Sequence, residues 1–157
     1  MNAKKEKIVW LKKSVLDMIM GEMNKWYPNE TGGVLIGYWN ENQITQLIDG
    51  GPNAVRSKTS FAPDHKYQVD VISQIYKLSN RTETYLGDWH THPDSKAYLS
   101  STDKKTFHKI ATYKPARLSM PLMIIVGTKP LELKAWGHEF HRFLKRRNIE
   151  LNFIVFD

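Results

Sequence analysis

Two histidines flank a single threonine in His90-Thr91-His92-Pro93. If this segment is extended, alternation with period two puts both imidazoles on one side of a strand, where they can share one metal ion. Pro93 ends such a strand, because it has no N–H to give to a ladder. After a six-residue loop, Ser100-Ser101-Thr102-Asp103 has the pattern of a helix start. Ser100 stands at the N-cap position and Asp103 falls three residues on, so its carboxylate projects from the helix mouth towards the histidine loop. Two imidazoles and one carboxylate make three protein ligands. With water in the fourth position, that is the composition of a catalytic zinc site rather than a closed structural one. The same set can also hold non-haem iron.

Hydrolysis at such a site needs a carboxylate that works on water without binding the metal. Glu30 is the best placed by context, in Asn29-Glu30-Thr31-Gly32-Gly33-Val34-Leu35-Ile36-Gly37. The paired glycines there permit a close backbone approach that a side chain would obstruct. Asp88 shares the histidines' face by period two and can orient an imidazole from behind. His138-Glu139-Phe140-His141 is not His-Glu-x-x-His, since its second histidine comes one residue early, so His65, His108, His138 and His141 are read as non-ligands. Trp89 and Trp136 are expected in the core or as cleft wall.

Short elements must position these groups. Lys7 to Leu11 alternates as a strand, and Ser14 is expected to cap a helix with Asp17 in its first turn and Val15, Met18, Ile19, Met23 and Trp26 at helical spacing, until Pro28 stops it. Gly33 to Trp39 and Gln43 to Ile48 read as strands joined by Asn40-Glu41-Asn42, with a short strand after them around Ser57 to Phe61. Tyr67 to Leu78 reads as an amphipathic helix with Val71, Ile72, Ile75 and Leu78 inward. Then come a strand over Thr84 to His90, a helix over Ser101 to Tyr113, a buried strand over Pro121 to Val126, and half-buried strands over Leu131 to Trp136 and Ile149 to Phe156. This order predicts an α/β fold, a mixed sheet with helices packed on it.

The chain has 157 residues, one domain's worth, with 41% hydrophobic and 25% charged residues, an ordinary globular balance. It has no cysteine, which excludes a disulfide framework, thiolate metal sites and a cysteine nucleophile. The longest apolar run, Met120 to Val126, is far short of the roughly 20 residues of a membrane span, and no apolar signal region follows the basic start, so a cytoplasmic protein is expected. Lysine and arginine exceed aspartate and glutamate by 23 to 16. The densest basic cluster, Arg142, Lys145, Arg146 and Arg147, reads as a solvated face, since no recognition motif for nucleic acid accompanies it.

Taken together, His90-Thr91-His92-Pro93, the six-residue spacer, Ser100-Ser101-Thr102-Asp103, and Glu30 in Glu-Thr-Gly-Gly resemble the motif of the JAMM (JAB1/MPN/Mov34) family of zinc peptidases and isopeptidases. The resemblance implies a single MPN-type domain over residues 1–157, with a mixed curved sheet flanked by helices. It implies one zinc ion on His90, His92 and Asp103, with Glu30 as general base and acid and Ser100 stabilising the tetrahedral intermediate. Gly51-Pro52-Asn53-Ala54, Ser60-Phe61-Ala62-Pro63-Asp64 and Gly87-Asp88-Trp89-His90-Thr91-His92-Pro93 further resemble the small bacterial isopeptidases found with ubiquitin-like conjugation and CBASS antiphage operons. Their implied substrate is a ubiquitin-like protein, or a nucleotidyl cyclase, conjugated through its C-terminal tail, with activating and conjugating enzymes as pathway partners. A scaffold with a vestigial site would be expected to have lost a ligand, and none is lost here.

Overall fold

The computed structural model describes residues 7–116, 118–141 and 145–157, with only the backbone of His141. The elements run β1 (Ile8–Lys12), α1 (Lys13–Trp26), β2 (Gly32–Tyr38), β3 (Gln43–Ile48), β4 (Val55–Arg56), β5 (Phe61–Ala62), α2 (His65–Leu78), β6 (Thr84–His92), α3 (Ser101–Thr112), β7 (Leu122–Thr128), β8 (Leu131–His141) and β9 (Lys145–Phe156). Seven strands form one mixed sheet in the order β1-β3-β2-β6-β7-β8-β9. It curves until β1, already parallel to β3, also pairs in parallel with β9, which closes a barrel. The expected α/β class and mixed sheet hold, and the closure adds to them. It joins the two ends of the chain, a pairing that no local pattern encodes.

β2 and β7 are buried on both faces, as central strands are. The largest apolar cluster joins Val15, Ile19 and Met23 of α1 to Leu35, Trp89, Ile124, Val126 and Leu151 of the sheet. Trp89 and Trp136 are both core residues. Val34, Ile36 and Ile48 form a second face, covered by Val71, Ile72 and Ile75 of α2.

Several local expectations are corrected. Ser14 does not cap α1: the helix begins at Lys13, Lys12 is the N-cap with no side-chain bond, and no acidic residue lies in the first turn. The strand runs directly into the helix and leaves no loop for a cap. Met18 is exposed, so the inward stripe is Val15, Ile19 and Met23. α2 starts at His65 because the Asp64 carboxylate caps it, accepting from the Tyr67 N–H. Leu78, in the last turn, is 87% exposed and not part of the stripe. In place of one strand near Ser57 to Phe61, a small hairpin pairs β4 with β5. β8 and β9 extend beyond their expected ends into a long antiparallel ladder.

Candidate active site

His90 and His92 lie on β6 and face the same side. Thr91 between them is 1% exposed and faces the opposite side. Asp103 comes from the first turn of α3. Its direction is set four residues on by Phe107, which lies on the same helix face and is fully buried against Met123, Ile125 and Trp136. Anchoring Phe107 on β7 and β8 therefore turns Asp103 to the strand that carries the histidines.

The three groups converge. His90 Nε2 lies 3.0 Å from Asp103 Oδ1, His92 Nε2 lies 3.4 Å from Asp103 Oδ2, and the two Nε2 atoms are 3.1 Å apart. Four ligands about 2.0–2.1 Å from a central zinc define a tetrahedron with edges of about 3.3 Å. The observed separations fall around that value, so the donor set fits a tetrahedral metal in chemistry and in spacing. Among the described residues this is the one group of three or more histidine or acidic side chains gathered closely enough to hold an ion. The far ring nitrogen of His92, Nδ1, is 3.3 Å from the Lys96 carbonyl, which fixes the ring with Nε2 towards the cluster.

Ser100 and Asp103 form a capping box. The Ser100 hydroxyl accepts from the Asp103 N–H at 3.1 Å, and Asp103 Oδ2 accepts from the Ser100 N–H at 2.8 Å. Burial would raise the Asp103 carboxyl, but hydrogen bonds from His90 and His92, the charge of His90 and a hydrogen bond with the Ser100 side chain outweigh it and hold the group well below the usual carboxylate range. Burial alone would lower His92, yet its bond to Asp103 and that carboxylate's charge raise it on balance.

Glu30 arrives just ahead of β2, the strand that pairs with β6. Gly32 pairs with His90, and a Cβ on Gly32 would collide with the Trp89 carbonyl and sit 2.9 Å from the His90 Cβ, so the close approach expected of the paired glycines is present. The segment is held on both flanks. The Glu30 N–H donates to the Ser57 carbonyl at 2.8 Å. Thr31 N–H donates to the Thr91 hydroxyl at 3.0 Å, and Thr91 N–H returns a bond to the Thr31 carbonyl at 2.8 Å. Arg56 donates to the Thr31 hydroxyl at 3.0 Å while its guanidinium stacks 3.8 Å over the Trp26 ring. Burial pushes the Glu30 carboxyl up; His90 and His92 pull it down and Asp103 pushes it up further.

Glu30, Asp88, His90 and Asp103 line one cavity of about 400 Å³, bounded by Thr59, Ser60, Phe61 and Pro63 on the hairpin side and by Thr102 and Thr106 on α3. Asp88 does not orient a histidine. It accepts instead from the Tyr85 hydroxyl at 2.8 Å. Ser100 stands at the α3 mouth beside Asp103 and does not line the cavity wall. His138 bonds to Asn148 at 2.5 Å and packs near Phe107 and His108, away from the ligand cluster. The basic cluster is largely committed to the protein itself: Arg147 pairs with Glu139 at 2.9 Å, and Arg146 stacks on Phe140 and donates to the Ala111 carbonyl. Arg142 lies outside the described residues. Sequence reasoning missed the Thr31–Thr91 clasp. Its only local signal is a threonine between two site histidines, where alternation turns it inward.

A model of prokaryotic homologues of the JAB domain matches residues 12–139. The chain belongs to the prokaryotic JAB-domain family. A probable metalloprotease of Sinorhizobium fredii is 37% identical over 128 residues, covering 79% of this chain and 78% of that protein. A CD-NTase/cGAS isopeptidase of Enterobacter hormaechei is 32% identical over 120 residues, covering 74% of this chain and 66% of its relative. These named relatives support a JAMM-type peptidase, a hydrolase. The solution structure of protein DSY2949 from Desulfitobacterium hafniense shares the fold, with a TM-score of 0.67 at 17% identity over 95% of this chain and 93% of that one. No helix among the described residues of this JAB-domain chain is long and apolar enough to cross a membrane.

Proposed function

We propose that this JAB-domain chain is a zinc-dependent isopeptidase, one domain over residues 1–157, acting in the cytoplasm on the bond that follows the C-terminal tail of a ubiquitin-like protein or of a conjugated nucleotidyl cyclase. The observation that supports this most is the meeting of Glu30 with His90 and Asp103 in one cavity, although the latter two lie 60 and 73 residues further along the chain. A loop carboxylate with no catalytic duty has no reason to be brought there.

In this reading His90, His92 and Asp103 hold the zinc. The ion, when bound, supplies a Lewis acid that polarises the scissile carbonyl and lowers the pKa of water towards neutrality. Glu30, whose carboxylate has no hydrogen-bond partner among the described residues, takes the proton of the attacking water and passes it to the departing amine, a lysine side chain in an isopeptide. The Ser100 hydroxyl donates a hydrogen bond to the oxygen on which negative charge develops. The thiol-free chain has no competing cysteine nucleophile.

The main sheet is closed, so an incoming tail finds no edge there. The β4–β5 hairpin, whose Phe61 lines the cavity, offers a two-stranded edge beside the site, and strand addition to it would satisfy the tail's backbone. The relatives named CD-NTase/cGAS isopeptidase support a cyclase as the conjugated protein; the family resemblance extends this reading to bacterial antiphage defence, with activating and conjugating enzymes as partners. The test is cleavage of a ubiquitin-like protein and of a cyclase tail, each isopeptide-linked to a lysine reporter, by metal-loaded and chelated protein. Cleavage restored by zinc supports the proposal. Activity that survives chelation, or that iron alone restores, contradicts it.

A further inference from the structure

Three carboxylates line the cavity, Glu30, Asp88 and Asp103, and the reaction proposed above uses only the first and last. One oxygen of Asp88 takes the Tyr85 hydroxyl. The other has no hydrogen-bond donor, and no lysine or arginine stands within ion-pair distance, among the described residues. Only the imidazoles of His90 and His65 act on its charge, and burial outweighs them, so a carboxylate drawn out of water here gains from a permanent cation that arrives with a ligand. Gln68 lines the same cavity. Its amide NH₂ is committed to the Asp49 carbonyl at 3.0 Å, which leaves its amide oxygen as a second acceptor. Two acceptors, one of them anionic, suit an ammonium or guanidinium group.

Position says which part of the substrate brings it. Along the antiparallel β2–β6 pair, Gly32 is opposite His90 and Val34 is opposite Asp88. Glu30, two residues before Gly32, therefore lies towards the His92 end, and Asp88 lies the other way from His90. Two strand residues span about 6.8 Å. A peptide that crosses the ligand cluster with its departing amine at Glu30 carries its acyl side over Asp88, about two extended residues further on. We infer that Asp88, with Gln68, forms a specificity subsite for a lysine or arginine side chain within the last three residues before the scissile carbonyl. This deepens the isopeptidase reading and rests on it for the direction of the chain.

The test uses synthetic tail peptides linked through their C-terminal glycine to a lysine reporter. One series carries arginine at each of the three preceding positions in turn; the other carries citrulline, which keeps the shape and removes the charge. A charge-assisted hydrogen bond predicts that arginine at one of these positions raises kcat/KM over citrulline by about tenfold to a hundredfold. Asp88→Asn should collapse that ratio to near one, and Asp88→Glu should retain most of it. The same peptides are titrated against the metal-loaded Glu30→Gln variant to read binding without turnover. Equal handling of arginine and citrulline at all three positions by unsubstituted protein, in cleavage and in binding, overturns the subsite. A ratio that survives in Asp88→Asn also overturns it. Charge-dependent binding with no cleavage of any peptide by the unsubstituted protein would uphold the subsite and defeat the hydrolase reading.

Discussion

Replacing Ser100 separates two roles that share one hydroxyl. Its oxygen accepts from the Asp103 N–H at 3.1 Å, so Ser100→Ala removes the cap of α3. A lost N-cap costs about 1 kcal/mol. In a domain of this size that lowers Tm by about 2–4 °C. Starting from a typical stability of about 5–15 kcal/mol, such a loss leaves only about one molecule in a thousand unfolded at the weakest limit. It cannot produce a large fall in turnover. Loss of an oxyanion donor, by contrast, costs about 10²–10³-fold in kcat. Ser100→Gly completes the comparison, because glycine at an N-cap costs only a few tenths of a kcal/mol. The assay is kcat on an isopeptide reporter together with thermal unfolding, on the same zinc-loaded preparations. Both variants should lose kcat by 10²–10³-fold while only the alanine variant is measurably less stable. Near-normal turnover in the glycine variant would leave Ser100 as a cap alone and remove it from the chemistry.

Thr91→Val keeps the shape at a site that is 1% exposed but leaves the Thr31 N–H without its acceptor. An unsatisfied buried donor costs about 1–3 kcal/mol, and because the lost bond holds the residue next to Glu30, kcat should fall with KM little changed, with Thr91→Ser restoring it; normal kcat would show that the clasp does not position Glu30. His92→Ala should abolish both tightly held metal and activity, checked by elemental analysis, and full metal occupancy in this variant would contradict the ligand set. Metal-free protein should lose stability as pH rises. The folded-state pKa of His92 is raised, so its pairing with Asp103 contributes fully below the ordinary histidine value of about 6.5 and is lost as pH climbs through the raised value. Zinc should reverse the trend, since the ion requires a deprotonated ring, and a flat Tm between pH 6 and 9 in the metal-free protein would refute this.

What was legible depended on range. The histidine pair could be read because alternation and a following proline are local rules, and Asp103 because its capping box with Ser100 spans one helical turn. Strands buried on both faces, such as β7, announced themselves as apolar runs. Long-range pairing was not legible: the closure of β1 against β9 joins residues at opposite ends of the chain. The start of α1 was misjudged because a serine suggested a cap where the strand runs straight into the helix. Asp88 was placed on the correct face, but its partner proved to be Tyr85. Glu30 could be singled out only through its glycine-rich context and the family resemblance, since its approach depends on how β2 pairs with β6.

Glu30→Gln therefore bears most directly on the central claim. The substitution preserves size and removes the group that accepts and returns the proton, a contribution of about 10²–10⁴-fold. The measurement is zinc content and isopeptide turnover on one preparation. Turnover lowered at least a hundredfold, with zinc still at one ion per chain and conjugate still bound, is the predicted result. Full activity, or loss of the zinc along with the carboxylate, would contradict it.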